Sequence, residues 1–443
     1  MVAHNSVTKE RLISAIISRT EMRAQHFKEA AYVIGGDGAL ELESFYDIYD
    51  ERLYIWLATL YDPIIGGFYF SASGRDTEGF LPDIESTVQA LRFMETSGLF
   101  TGRGGSYAEG LPEGIRASLV GFAKSLQAED GFFYHPQWGR LISTSRRGRD
   151  LRWATDMLSR LGEETPYLTP IDTSDRERTA KLLPEYLRDI NKWKKYLSDM
   201  DMASNSYYNS NLLSSQTWQI HAAGAEFEDA LFEFLADTQN PENGLWEPNV
   251  SYASVNGLMK LTIMYSNLRR VLPHSEEAMK SALTTAMSSA PIVFCCQFYN
   301  PFEAMGNILE NMGRGGEAHQ AEKLRRLIIE RAVPLIRTTK EKVLTCKRVD
   351  GSFSYNPEPR SRLSQRAPVG MGLDEGDINA AAICSSGTAG KLCKSFGIPK
   401  IPMFCEKDSD IFFDMLENAV QAEKTAPRPD WFDEVLSEQR DNK

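Results

Sequence analysis

Cysteine is scarce, with six copies in 443 residues and no C-x-x-C pair. So few, so irregularly spaced, exclude a disulfide framework, and the adjacent Cys295 and Cys296 in an apolar run read as buried thiols. A reducing, cytosolic-type compartment is expected. Long apolar runs are also lacking. The long uncharged stretch 281–302 contains Pro291 and many Ser, Thr, Gln and Asn residues, so it fails as a membrane span. At the N-terminus, charges flank a short apolar patch and no signal-peptide core is present. Bases are outnumbered, 49 against 61 acids, and the net charge of −12 excludes a whole-surface affinity for nucleic acid or anionic membrane. The expected partner is a small molecule or an oligosaccharide, and the composition sets no oligomeric state.

What is present is a recurring phrase. DPIIGGFYFS (62–71), QAEDGFFYHPQWG (127–139), QNPENGLWEP (239–248) and DGSFSYNPEP (350–359) each carry a polar turn, a Gly and then an aromatic residue. Taking Gly67, Gly131, Gly244 and Gly351, the intervals are 64, 113 and 107, and the last two are close to twice a period of about 55. Further copies are expected near 187 and 298, with NSYYNSN (205–211) as a displaced turn.

Helical patterns surround these turns. Charged amphipathic segments at 41–60, 113–128, 177–199, 225–238, 276–290 and 319–342 alternate with more neutral ones beginning at Asp83, Asp150, Asn211, Ser254, Asn300 and Asp377. Several of the neutral segments end in Gly. An outer ring around a buried inner ring fits this alternation. The expected fold is all-α, an (α/α)6 toroid over 36–400, with an N-terminal flanking helix in 1–35 and a C-terminal helix and tail in 401–443. An open solenoid of stacked pairs has the same period.

The spacing Leu235-x3-Gln239-x4-Gly244-x-Trp246 resembles the Q-W repeat of the terpenoid cyclase and protein prenyltransferase superfamily. Gln127-x3-Gly131-x-Phe133 resembles it with Phe for Trp. The resemblance implies the toroid, which many polysaccharide lyases and glycoside hydrolases share, and it reaches the repeat framework only. No Asp-Asp dipeptide exists for a cyclase, and no Asp-x-Cys for a prenyltransferase zinc set. No metal and no cofactor is expected.

Turns joining outer to inner helices of a toroid line one funnel. Asp83, Asp150 and Asp377 read there as helix caps, whereas Glu85, Arg152, Asn256, Glu303 and Asn379 point inward and need polar partners. Arginines crowd the same turns, among them Arg75, Arg140, Arg152 and Arg360, and suit carboxylate or phosphate. Trp138, Trp246 and Tyr355 either stack on sugar rings or pack the turns, and Asn209 adds an amide. The expected function is a carbohydrate-active enzyme acting on an acidic, uronate-containing oligosaccharide. For β-elimination, Tyr134, His135 and Tyr208 are the proton-transfer candidates. For hydrolysis, Glu85 pairs with Glu303 or Asp377. The competing readings are a terpenoid cyclase or prenyltransferase-like enzyme and a non-catalytic toroid that binds a ligand.

Overall fold

The computed structural model describes residues 7–358 and 362–427. Helices dominate, and among the described residues strands are confined to two short hairpins, Tyr61–Asp62 with Gly67–Phe68 and Leu363–Ser364 with Ala367–Pro368.

Six segments make up a central set, and local chemistry sets most of their starts. Asp83 accepts from the Ser86 amide to cap Ile84–Ser97, which ends at Gly98 with a left-handed φ of 98°. Ser143 caps Thr144–Arg160, Asp201 caps Met202–Ser215, and a Ser251–Ser254 capping box opens Tyr252–Asn267. The fifth segment is Cys296–Arg314. In the sixth, Asp377 caps Ile378–Ala382, a π-turn follows over Ile383–Gly387, and Thr388–Phe396 completes it. Packing runs from each central segment to the next in chain order, and the sixth packs on the first.

Another helix precedes each central segment, Glu51–Ala58, Glu113–Ser125, Ile190–Ser198, Ala225–Thr238, Ser275–Ala286 and Ala332–Cys346, and it is the more charged of the two except before Thr144–Arg160, which carries the arginine run 146–152. The turns between the two kinds of helix dock on the next unit in the same way. A Cβ on Gly66 would lie 2.4 Å from the Ser118 carbonyl oxygen, and one on Gly244 would lie 2.2 Å from the Ala278 nitrogen. A Cβ on Gly351 would lie 2.5 Å from Arg52 Cβ, so the last turn docks on the first of the preceding helices. Gln239 Nε2 donates to its own turn at Gly244 O and to Pro273 O ahead of the next helix. Gln127 does the same with Gly131 O and Tyr167 O. In the last copy Lys347 takes this place and reaches back to the Ile48 carbonyl, in front of Glu51–Ala58. Each such bond contributes about 0.5–1.5 kcal/mol, and losing one leaves a buried carbonyl without its donor.

Several sequence expectations are revised. The second central helix starts at Thr144, well before Asp150, because Ser143 is the cap; Asp150 is therefore buried mid-helix and caps nothing. The third runs from Met202 to Ser215, with a separate helix Thr217–Ala223 after it. No turn copy stands at the two expected places: Leu187 ends a short 3-10 helix, and Phe298 lies within Cys296–Arg314. Residues 205–211 are part of the third helix, which is irregular at Asn205 (φ −137°, ψ 41°).

At the N-terminal side, the long helix Lys9–Tyr46 breaks helical geometry at Gly35 (φ 75°). It packs against the C-terminal helix Glu406–Ala422, and buried Arg19 ties the two together by ion pairs to Asp408 (2.8 Å) and Glu51 (2.9 Å). No helix among the described residues is long and apolar enough to cross a membrane.

Candidate functional site

At the start of the first two central helices lies a buried charge cluster. Arg146 is fully buried and donates to Asp83 (2.6 Å) and to both oxygens of Asp150 (2.9 Å), with Glu85 at 3.5 Å. Arg149, one turn on, donates to Glu85 Oε1 at 2.8 Å. His135 is buried beside them: its Nδ1 accepts from the Gln137 amide, so its Nε2 carries the proton and faces Asp83 Oδ2 at 3.4 Å. Against the upward push of burial, the Arg146 charge and His135 hold Asp83 well below the usual carboxylate range. Asp150 goes the other way. Burial, together with the Glu85 and Asp83 charges, outweighs Arg146 and raises it to about 7.

A strap covers this end. The Leu363–Pro368 hairpin accepts from Ser143 Oγ and Arg146 through the carbonyls of Gln365 and Ser364. Asn211 Nδ2 donates to Gln365 Oε1, Trp138 Nε1 donates to Pro368 O, and Arg366 lies over the Tyr208 ring. The strap thus binds the first residues of the second helix and the middle of the third. Its tip residues Gln365 and Arg366 adopt positive φ of 48° and 74°, which a side chain makes unfavourable.

Deeper in, a turn or more from the helix starts, lies a cavity of about 150 Å³ lined by Arg92, Arg149, Arg152, Lys260, Trp153 and Asn211 with four smaller neighbours. Four central helices contribute to it. Arg92 and Arg149 both lie 4.5 Å from the Trp153 ring centre, and Arg152 sits over Trp218. Among the described residues Arg92, Arg152 and Lys260 have no ion-pair partner. Burial, then the neighbouring Arg152 charge, lowers Arg92 to about 10. Burial and the Arg149 charge lower the Lys260 ammonium to about 8, against the opposing pull of Cys296, Glu85 and Glu303. A larger open groove of about 830 Å³ adjoins through Arg152 and Trp218, walled by the 163–174 loop.

Beside Lys260 is a linked set of weak acids. Cys296 Sγ lies 3.1 Å from Tyr355 Oη, and the Tyr355 ring stacks on Phe294. Hydrogen bonding with Cys295 holds the Cys296 thiol below its ordinary value despite burial, with help from Tyr355, Lys260 and Arg149. Burial raises Tyr207, whose neighbours are Cys296, Arg149 and Tyr355. All six cysteines are free. Among the described residues no group of three or more His, Cys, Asp or Glu is placed to hold a metal ion.

The residues singled out from sequence fall into three groups. Glu85, His135 and Arg152 lie at or beside the buried charges; Glu303, on the fifth helix, is held by Lys391 (2.7 Å), Tyr299 and Asn307. A second group is occupied by the scaffold. Asp377 caps its helix and accepts from the Tyr355 amide, and Trp246 donates to Leu235 O. Asn256 accepts from Asn300, Asn379 accepts from Gln89, and Asn209 donates to Asp201 O. Trp138 holds the strap. A third group is held near the surface: Tyr134 and Arg140 share Asp130 on their turn, Arg75 in the short helix Ala72–Asp76 pairs with Asp76, and Tyr208 on the third central helix is exposed beneath Arg366. Arg360 lies outside the described residues. The sequence reading missed Arg92 and Lys260, because it examined helix starts; Lys260 is the only charge in the apolar stretch 252–267, and that isolation was the available signal.

The chain matches no protein family, no curated protein and no solved structure.

Proposed function

We propose that the cyclic central set is the inner layer of an (α/α)6 toroid, and that the chain acts on an acidic, uronate-bearing saccharide by β-elimination. The observation that carries this reading is the cavity in which Arg92, Arg152 and Lys260 converge without ion-pair partners. Uncompensated buried cations are costly unless an anion joins them. A carboxylate suits guanidinium groups held flat against indole rings, since Arg binds it in bidentate fashion.

Elimination asks for three roles at a uronate. Arg92, Arg149 and Arg152 neutralise the carboxylate and so acidify the adjacent C5 proton. Lys260, lowered to about 8, is partly neutral at mildly alkaline pH and accepts that proton. Tyr207, raised and thus protonated, returns a proton to the leaving oxygen. The C5–H and C4–O bonds break, and a C4=C5 double bond forms between the carbons. Hydrolysis would instead use two available carboxylates. Glu85 and Glu303 are each engaged by cations, which favours elimination.

Incubation with uronate oligosaccharides tests this directly. New ultraviolet absorbance from the unsaturated product is expected. New reducing ends without absorbance would establish hydrolysis. If no saccharide stabilises the fold while a prenyl diphosphate does, the cations serve a diphosphate and the terpenoid reading replaces this one.

A further inference from the structure

Arg92 has a second side. It also lines a separate cavity of about 360 Å³ bounded by the sixth central segment, with Lys391, Lys394, Lys400, Thr96 and Ser386 around it. Two observations mark this space as a binding site. The first is its charge. Lys391 is paired with Glu303 (2.7 Å) and Lys394 with Glu310 (2.9 Å), while Arg92 and Lys400 have no ion-pair partner among the described residues. Arg92 and Lys400 are thus left without a contact partner of opposite charge, with Asp156 and Glu95 acting on them only from a distance. The second is the backbone. The π-turn Ile383–Gly387 interrupts the helix here, with Ser385 at φ −106° and ψ −110°, and Ile383, Ser386 and Gly387 all face the cavity. Such turns are rare and recur where a helix is re-aimed at a ligand. The hydroxyls of Thr96 and Ser386, 2.6 Å apart, bond to one another at the wall, and Thr96 Oγ1 also lies 2.7 Å from the Arg92 carbonyl oxygen.

We infer that this cavity binds a second oxyanion group of the ligand, a sulfate, phosphate or carboxylate on a neighbouring sugar unit. The inference deepens the saccharide reading: Arg92 stands between two anion subsites, and the substrate class becomes a saccharide bearing anions on two successive units. The larger space, with Ile383, Ala382 and Tyr299 among its walls, has room for a sugar ring together with its charge.

Two variants test the site without touching the first cavity. Gly390→Leu fills it: Gly390 sits in a helix, and a Cβ there meets only the Lys400 side chain at 4.0 Å. Lys400→Gln removes a cation from its rim. Titration calorimetry at constant ionic strength, with inorganic sulfate as the probe, should show saturable binding to the unaltered chain at this cavity as well as at the first, and both variants should lose at least tenfold at one site while keeping the other. Absent sulfate binding, or variants that retain every site of the unaltered chain, overturns the proposal. A uronate disaccharide with and without a sulfate on the neighbouring unit gives the second arm. The sulfated form should bind at least tenfold tighter to the unaltered chain, and the variants should bind both forms alike. If the variants keep the full preference for the sulfated form, the site is elsewhere. If sulfate binding follows the variants but neither disaccharide binds, the anion site stands and the saccharide reading falls.

Discussion

Arg146 and Arg149 are one helical turn apart, yet they belong to two different kinds of surroundings. Around Arg146 carboxylates are in excess: Asp83 and Asp150 accept its hydrogen bonds with Glu85 beside them, and Asp150, raised to about 7, keeps a proton in their company. A turn deeper, Arg149 is shared between Glu85 and a cavity where Arg92, Arg152 and Lys260 make no ion-pair contact, and Asp156 acts on the two arginines only from a distance. Both regions are buried and rich in arginine. What separates them is stoichiometry. A closed cluster holds helix starts together, whereas an open excess of one sign is stable only if a ligand of the other sign completes it.

The sharpest way to break this contrast is to remove one cation from each side. Arg146→Met strands Asp83 and Asp150, while Glu85 keeps Arg149, and should cost about 3–5 kcal/mol of stability, read as a lower urea midpoint. Arg92→Met should move that midpoint far less, because it breaks no ion pair and removes only weaker contacts such as that with the Trp153 ring. Equal losses for both would dissolve the distinction. Next in size is Lys260→Met. On a confirmed substrate it should lower kcat by about 10²-fold or more without moving the unfolding midpoint.

The pH responses of the two regions should also differ. If Lys260 accepts the proton, kcat/KM rises with pH along a limb centred near 8, and Lys260→Met removes that limb. In the charge cluster Asp150 is raised to about 7, so between roughly pH 4 and 7 the folded chain keeps a proton that the unfolded chain releases. Its share of the stability is present on the acid side of that window and is lost as the pH rises through it. Asp83 is depressed, so its contribution is present above about pH 4 and is lost on further acidification. Asp150→Asn should flatten the stability profile between pH 4 and 7, and an unchanged slope would show that the proton resides elsewhere. The smallest effect is expected at Arg140, exposed on its turn with Asp130. Arg140→Ala should change neither the urea midpoint nor the turnover measurably.

The helical alternation and the paired use of Gln127 and Gln239 were legible in the sequence because both obey local rules, amphipathic spacing and turn chemistry. The start of the second central helix was not. Asp150 has the cap residue type, but Ser143 offers the same chemistry seven residues earlier, and only packing against the strap decides between them. The arginine-rich turns pointed to an anion, yet most of those arginines are answered locally, Arg75 by Asp76 and Arg140 by Asp130. Sequence proximity cannot count partners brought in from other helices. Lys260 and Arg92 converge from the fourth and first central helices, and their joint excess of charge exists only in three dimensions.

The docking of Gly351 on Arg52 has a consequence for how the molecule is made. Arg52 also donates to the Val349 carbonyl at 3.0 Å, across a separation of 297 residues. A ribosome adding about 5–20 residues per second needs roughly 15–60 s to supply that partner. Throughout that interval the face of Glu51–Ala58 that the last turn covers is bare to solvent or to a chaperone. Closure is therefore an event of late synthesis, and a chain stalled before Val349 presents an uncovered first unit to whatever surveys nascent proteins.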